Sequence, residues 1–153
     1  MASSFALHLV VTAPVEDAAA WYRDALGARE TRRLLLPDGS PMLIDMDLPG
    51  IGDEPGLHLA LAAEMPDRGM RAPAPGSSPA AFHLTVADAD AAFERAVAHG
   101  AVVFEPLHDA FWGERTAQVV DPSGHRWALA QHIRDVVDDE VQAALTRMLT
   151  GTN

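Results

Sequence analysis

The chain is 153 residues long and 48% hydrophobic, enough for one well-buried domain or two small halves sharing a core. Its formal net charge is −11 and all eleven basic residues are arginine. That excludes lysine Schiff-base chemistry, disfavours nucleic acid as a partner and favours a cationic small molecule. Cysteine is absent, which removes disulfides, thiolate nucleophiles and thiolate metal sites, and no run of eighteen apolar residues predicts a membrane span.

Met1-Ala2-Ser3-Ser4 lacks the basic stretch and apolar core of a signal peptide, so a cytoplasmic location is expected. Residues 5–12 alternate as a strand, with Phe5, Leu7, Leu9 and Val11 on one face and Ala6, His8, Val10 and Thr12 on the other. The spacing of Val15, Ala18, Ala19, Tyr22 and Leu26 predicts a helix over 14–26, stopped by Gly27. Strands follow at 30–36 and 42–48, joined by the turn Pro37-Asp38-Gly39-Ser40. The strand at 57–63 turns Leu57, Leu59 and Leu61 one way and His58, Ala60 and Ala62 the other.

Residues 64–79 are rich in proline, glycine and serine and form a linker. The order then restarts: strand 80–86, helix 88–98, strands 101–107 and 114–120, a turn at 121–124, and strand 125–132. A last helix, 138–149, carries Val141, Ala144, Leu145 and Met148 on one stripe and three acids in its first turn, as a docking or dimer element would.

The restart is a sequence repeat. Ala6-Leu7-His8-Leu9-Val10-Val11 returns as Ala81-Phe82-His83-Leu84-Thr85-Val86, and Gly56-Leu57-His58-Leu59-Ala60-Leu61 as Gly124-His125-Arg126-Trp127-Ala128-Leu129. Two such modules must bury their sheet faces together, which predicts an α+β fold of two tandem βαβββ modules whose curled mixed sheets form a shared cup. The boundaries are 1–63, a linker 64–79, a second module 80–132 and a C-terminal helical segment 133–153, all in one domain.

One face of the four repeated strands collects Ala6, His8, His58, Ala60, Ala81, His83, Arg126 and Ala128. Alanine on an inward face leaves space that valine or leucine would fill, so a cup walled by imidazole and guanidinium is implied. His8, His58, His83 and Arg126 are the candidate ligand contacts, with Trp112 at the mouth, and His8 and His83 are the candidate proton shuttles. A lone strand histidine is more often structural, and Trp21 is read as packing its helix on the sheet.

With the halves laid out, the chain resembles the vicinal oxygen chelate superfamily, which covers glyoxalase I, extradiol dioxygenases, methylmalonyl-CoA epimerase, fosfomycin-modifying enzymes and bleomycin-resistance binding proteins. The resemblance spans about residues 5–132. It rests on the repeat and on the run Phe111-Trp112-Gly113-Glu114-Arg115 through Asp121-Pro122-Ser123-Gly124-His125-Arg126-Trp127, which is similar to a glyoxalase/bleomycin resistance-like subgroup. It implies a homodimer. It also implies metal ligands on the first and fourth strand of each module, at positions that hold Ala6, Ala60, Ala81 and Ala128 here. Alanine donates nothing to a cation, so no metal and no other cofactor is expected.

The first functional expectation is therefore a metal-free binder of a small organic ligand, in its sharpest form one that sequesters an antibiotic or toxic compound. An alternative is a metal-independent isomerase, lyase or cyclase using histidine as acid–base and Arg126 as an anion anchor. A second alternative is a glyoxalase- or dioxygenase-type enzyme with a displaced site built from His8, His58 and His83.

Overall fold

A computed structural model describes residues 5–12, 14–74 and 76–151; the four N-terminal residues read above lie outside them. Strand β1 (Ala6–Val11) leads into helix α1 (Val15–Leu26), then β2 (Arg29–Leu35), β3 (Pro41–Leu48) and β4 (Leu57–Ala63). The same order returns as β5 (Ala81–Thr85), α2 (Ala89–Ala98), β6 (Val102–Asp109), β7 (Glu114–Val120) and β8 (Arg126–His132), and α3 (Asp138–Thr150) follows. The α+β pair of βαβββ modules with a C-terminal helix is thus present. Between the modules lie a short 3-10 turn at Pro66–Arg68 and a bridge from Met65 to Met70.

Each module is a four-stranded mixed sheet, ordered β1-β4-β3-β2 in the first and β5-β8-β7-β6 in the second, and hydrogen-bonded only within itself. The β1–β4 and β5–β8 pairs are parallel and the other pairs antiparallel. A parallel pair needs a long crossover, and α1 or α2 occupies it, packed on one face of its sheet.

The helices form where the sequence lets them begin and end. The Asp88 side chain accepts the Ala91 N–H at the start of α2. Gly27, left-handed at φ 74°, ends α1 by returning its N–H to the Arg23 carbonyl. Leu9, Val11, Ile44, Met46, Leu59 and Leu61 of the first sheet join α1 and Val119, Trp127 and Leu129 of the second in one buried cluster.

Polar bonds lock the modules around that core. The Tyr22 hydroxyl donates to Asp121 and accepts the Trp127 indole N–H at 3.3 Å. His125 donates from Nε2 to the Val10 carbonyl at 2.8 Å, and the Thr12 N–H donates to Ser123 Oγ at 3.2 Å. The turn 121–124, a lone loop signal in the sequence, is therefore the joint between the halves.

Edge strands β2 and β6 leave large side chains in solvent, among them Leu35, Val102 and Phe104. Helix α3 buries no residue, and Met148 and Leu149 on it are exposed. Its stripe is amphipathic as expected, with Val141, Ala144 and Leu145 half-buried, but it makes no extensive contact with either sheet. Among the described residues no helix is long and apolar enough to cross a membrane.

Candidate functional site

The strand registers put Ala6 beside His58 and His8 beside Ala60 in the first module, and Ala81 beside Arg126 and His83 beside Ala128 in the second. The eight residues expected to share the face away from the helices do so, four in each sheet. In both sheets this face is open along its parallel edge, where Ala6, His8, Ala81 and His83 are exposed.

In the first module the face is acidic. Asp45 pairs with Ala60 and Asp47 with His58 across β3 and β4, so both carboxylates reach the same side. The His58 ring lies between them, with Nδ1 2.8 Å from Asp47 and Nε2 3.5 Å from Asp45. Asp45 is buried and also accepts the Arg32 Nε at 2.6 Å. His8 has no hydrogen-bond or ion-pair partner among the described residues.

The second module assembles three groups around one carboxylate. His83 Nε2 lies 3.3 Å from Glu114 Oε1, and Glu114 Oε2 accepts the Trp112 indole N–H at 2.6 Å. Trp112 is half in solvent and meets Phe111 edge to face at 4.9 Å. Further along the face the Arg126 guanidinium lies over the Phe104 ring, 4.6 Å from its centroid, and its buried Nε has no acceptor. Two sequence candidates, His83 and Trp112, are thus brought together, with Arg126 on the same sheet. His58 and His8 stand on the other module.

The local chain explains this placement. Ala110–Gly113 make a tight turn in which the Gly113 N–H donates to the Ala110 carbonyl at 3.1 Å. Gly113, at φ 97°, turns its carbonyl to the N–H groups of Ile133 and Arg134, which ties the C-terminal segment beneath Trp112.

Sequence reading overlooked Asp45, Asp47, Glu114 and Phe104. For the aspartates a signal existed: in Ile44-Asp45-Met46-Asp47-Leu48 the apolar residues alternate with acids, which strand period sends to the face opposite the core. Nothing local joins Glu114 to His83, which meet only through the sheet.

The displaced three-histidine site does not form. Among the described residues no group of three or more histidine, aspartate or glutamate side chains is placed to hold a cation. The positions expected to ligate metal remain Ala6, Ala60, Ala81 and Ala128, whose methyl groups do not fit a divalent ion. Trp21, as expected, is buried and packs edge to face on Tyr22.

A family model for the glyoxalase/bleomycin resistance protein/dioxygenase superfamily matches residues 6–129. An uncharacterized protein of Mycobacterium bovis is 39% identical, the match covering 94% of this chain and 93% of that one. Among solved structures, TioX from Micromonospora sp. ML1 superposes with a TM-score of 0.62 at 24% identity, covering 85% of this chain and 100% of that one. The fosfomycin resistance protein FosX from Listeria monocytogenes, solved with Mn(II) and dihydroxypropylphosphonic acid, gives 0.62 at 17% identity, covering 94% and 99%. At these identities the two structures establish the shared fold.

Proposed function

Because this chain belongs to the glyoxalase/bleomycin resistance protein/dioxygenase superfamily, we propose that it is a metal-free member that binds a small organic ligand on its open sheet faces, sequestering an antibiotic or toxic compound. The observation that carries this reading is the second module's face, where His83 and Trp112 both meet Glu114 and Arg126 lies over Phe104 on the same sheet. A small number of placed polar and aromatic groups is what orients a bound ligand.

A second copy of the chain completes the site in this reading. An open face of small residues on sheets whose edge strands expose Leu35, Val102 and Phe104 is the kind of surface a partner covers, and α3 adds the exposed Met148 and Leu149. Sedimentation at micromolar concentration tests this, a dimer being expected.

Binding is tested by thermal-shift screening of a library of antibiotics and aromatic metabolites against the wild type and Ala81→Leu. Hits that raise the midpoint of the wild type but not of the variant support the reading; hits indifferent to Ala81→Leu overturn it. The contact of His83 with Glu114 favours one second reading, acid–base catalysis on the same ligand. Chemical conversion of a hit on incubation, abolished by His83→Ala, would establish that reading over pure sequestration.

A further inference from the structure

Beyond the Glu114 cluster, the second module contains a cavity of about 420 Å³ at the end of its sheet, within the range of about 300–1,000 Å³ typical of small-molecule sites. Its walls are Val102, Val103 and Phe104 of β6, Val120 of β7, the turn 121–124 and the linker at Pro73 and Gly76. A narrower extension shares Gly76, Phe104, Val120 and Gly124 with it and is lined by Arg126. Most of this surface is apolar, and the guanidinium stands at one end.

Arg126 is unusual among the arginines of this chain. Arg23, Arg32, Arg33, Arg115 and Arg134 each meet a carboxylate. Those without a carboxylate partner, Arg29, Arg68, Arg71, Arg95 and Arg147, are exposed. Arg126 is half-buried, lies over the Phe104 ring face, and among the described residues has no ion-pair or hydrogen-bond partner, its buried Nε included. Stacking fixes the plane of the guanidinium while leaving its in-plane donors free, the state in which arginine takes a carboxylate or phosphate in bidentate fashion. The one carboxylate lining the cavity, Asp121, already accepts the Tyr22 hydroxyl and the N–H groups of Ser123 and His125.

We propose that this cavity is a subsite for an amphipathic organic anion, whose carboxylate is held by Arg126 and whose apolar body lies along Val102, Phe104 and Val120. The proposal rests on the ligand-binding reading above and assigns the chemical class of the ligand. It differs from the expectation of a cation drawn from the net charge of −11, because the one cation at the cavity, Arg126, has no carboxylate partner among the described residues, while Asp121 already accepts three hydrogen bonds.

The test is titration calorimetry of the full chain with three probes of one tail length: octanoate, octan-1-ol and octylamine. Octanoate is expected to bind about tenfold tighter than octan-1-ol, the size of one charge-assisted hydrogen bond. Arg126→Met, which keeps an apolar stem, should erase that difference and leave octan-1-ol unchanged, while Arg126→Lys restores part of it. The proposal is overturned by equal affinity of octanoate and octan-1-ol, by tightest binding of octylamine, by no octanoate binding at millimolar concentration, or by an Arg126→Met variant that still prefers octanoate. Circular dichroism of each variant guards against misfolding, and Phe104→Leu, which removes only the stacking ring, should weaken octanoate more than octan-1-ol. A library hit blocked by Ala81→Leu but indifferent to Arg126→Met would leave the binding reading standing and remove this one.

Discussion

Glu114 Oε1 stands 3.3 Å from His83 Nε2, although the two residues lie on strands that are not neighbours in the sheet. Strand β8 lies between them, and its small Ala128 and Ala130 let the two side chains meet above it. The same carboxylate holds the Trp112 indole, so one acid orients both an imidazole and an aromatic ring at the open face.

Tryptophan fluorescence reports on this arrangement. Trp112 is 43% exposed, while Trp21 and Trp127 are 5% and 1% exposed, so acrylamide should quench Trp112 first. Glu114→Ala frees the indole and is expected to raise the quenchable fraction and lower the anisotropy of Trp112. The thermal midpoint should hardly move, because partly exposed pairs of this kind contribute little to stability. Unchanged quenching would show that the carboxylate does not position the ring.

Gly113→Ala should be far more harmful than an ordinary glycine substitution. Its φ is 97°, and an added Cβ would fall 2.3 Å from the Arg134 carbonyl oxygen and 2.9 Å from the Val136 side chain. Gly39 also has positive φ but has nothing within 4 Å of its would-be Cβ. Gly39→Ala therefore carries only the backbone strain, about 1–3 kcal/mol, and Gly113→Ala adds a backbone clash to it. Urea unfolding of both variants measures the difference. Equal losses would mean that the segment after β8 yields freely.

Legibility followed the range of the physics. Strands and helices were readable because period and caps are local, as in Leu57-His58-Leu59-Ala60 or in the stop at Gly27. That His58 in the first sheet and His83 and Arg126 in the second occupy equivalent faces was readable because the repeat repeats its register. The partners were not. His58 meets Asp45 and Asp47 across β3, and Arg126 meets Phe104 two strands away on an edge strand whose register slips. Helix α3 shows a stripe that local pattern predicts, but whether the chain covers it depends on tertiary geometry.

Alkaline pH should destabilise the fold through Tyr22, the only tyrosine. Burial, reinforced by the Asp121 carboxylate, raises its phenol well above the usual value of 10.0. Below that value both folded and unfolded chains keep the proton, so the favourable contribution is fully present. As pH rises past it, the unfolded chain ionises while the folded chain does not, and stability falls. Urea midpoints at pH 8 and pH 11 check this. Tyr22→Phe should start about 1–3 kcal/mol lower at pH 8, having left Asp121 and the Trp127 indole short of a partner. Its further loss at pH 11 should be smaller than that of the wild type, and an equally steep loss would count against Tyr22 as the titrating group.

Two adjacent arginines on β2 should differ in what they hold. Arg33 bridges Glu16 and Glu30, both accessible to water, so Arg33→Ala is expected to leave the unfolding midpoint unchanged within error. Arg32 meets Asp45, whose side chain is only 7% exposed. Removing Arg32 leaves that carboxylate facing the His58 ring at 3.5 Å, with no arginine within ion-pair distance among the described residues. A buried charge stripped of its partner costs more than a surface pair contributes, so Arg32→Ala should lose about 1–3 kcal/mol. Asp45→Asn in the Arg32→Ala background should recover part of that loss, because the amide no longer buries a charge. Equal midpoints for Arg32→Ala and Arg33→Ala would show that water reaches Asp45 freely, and that His58 is not held by a desolvated acid.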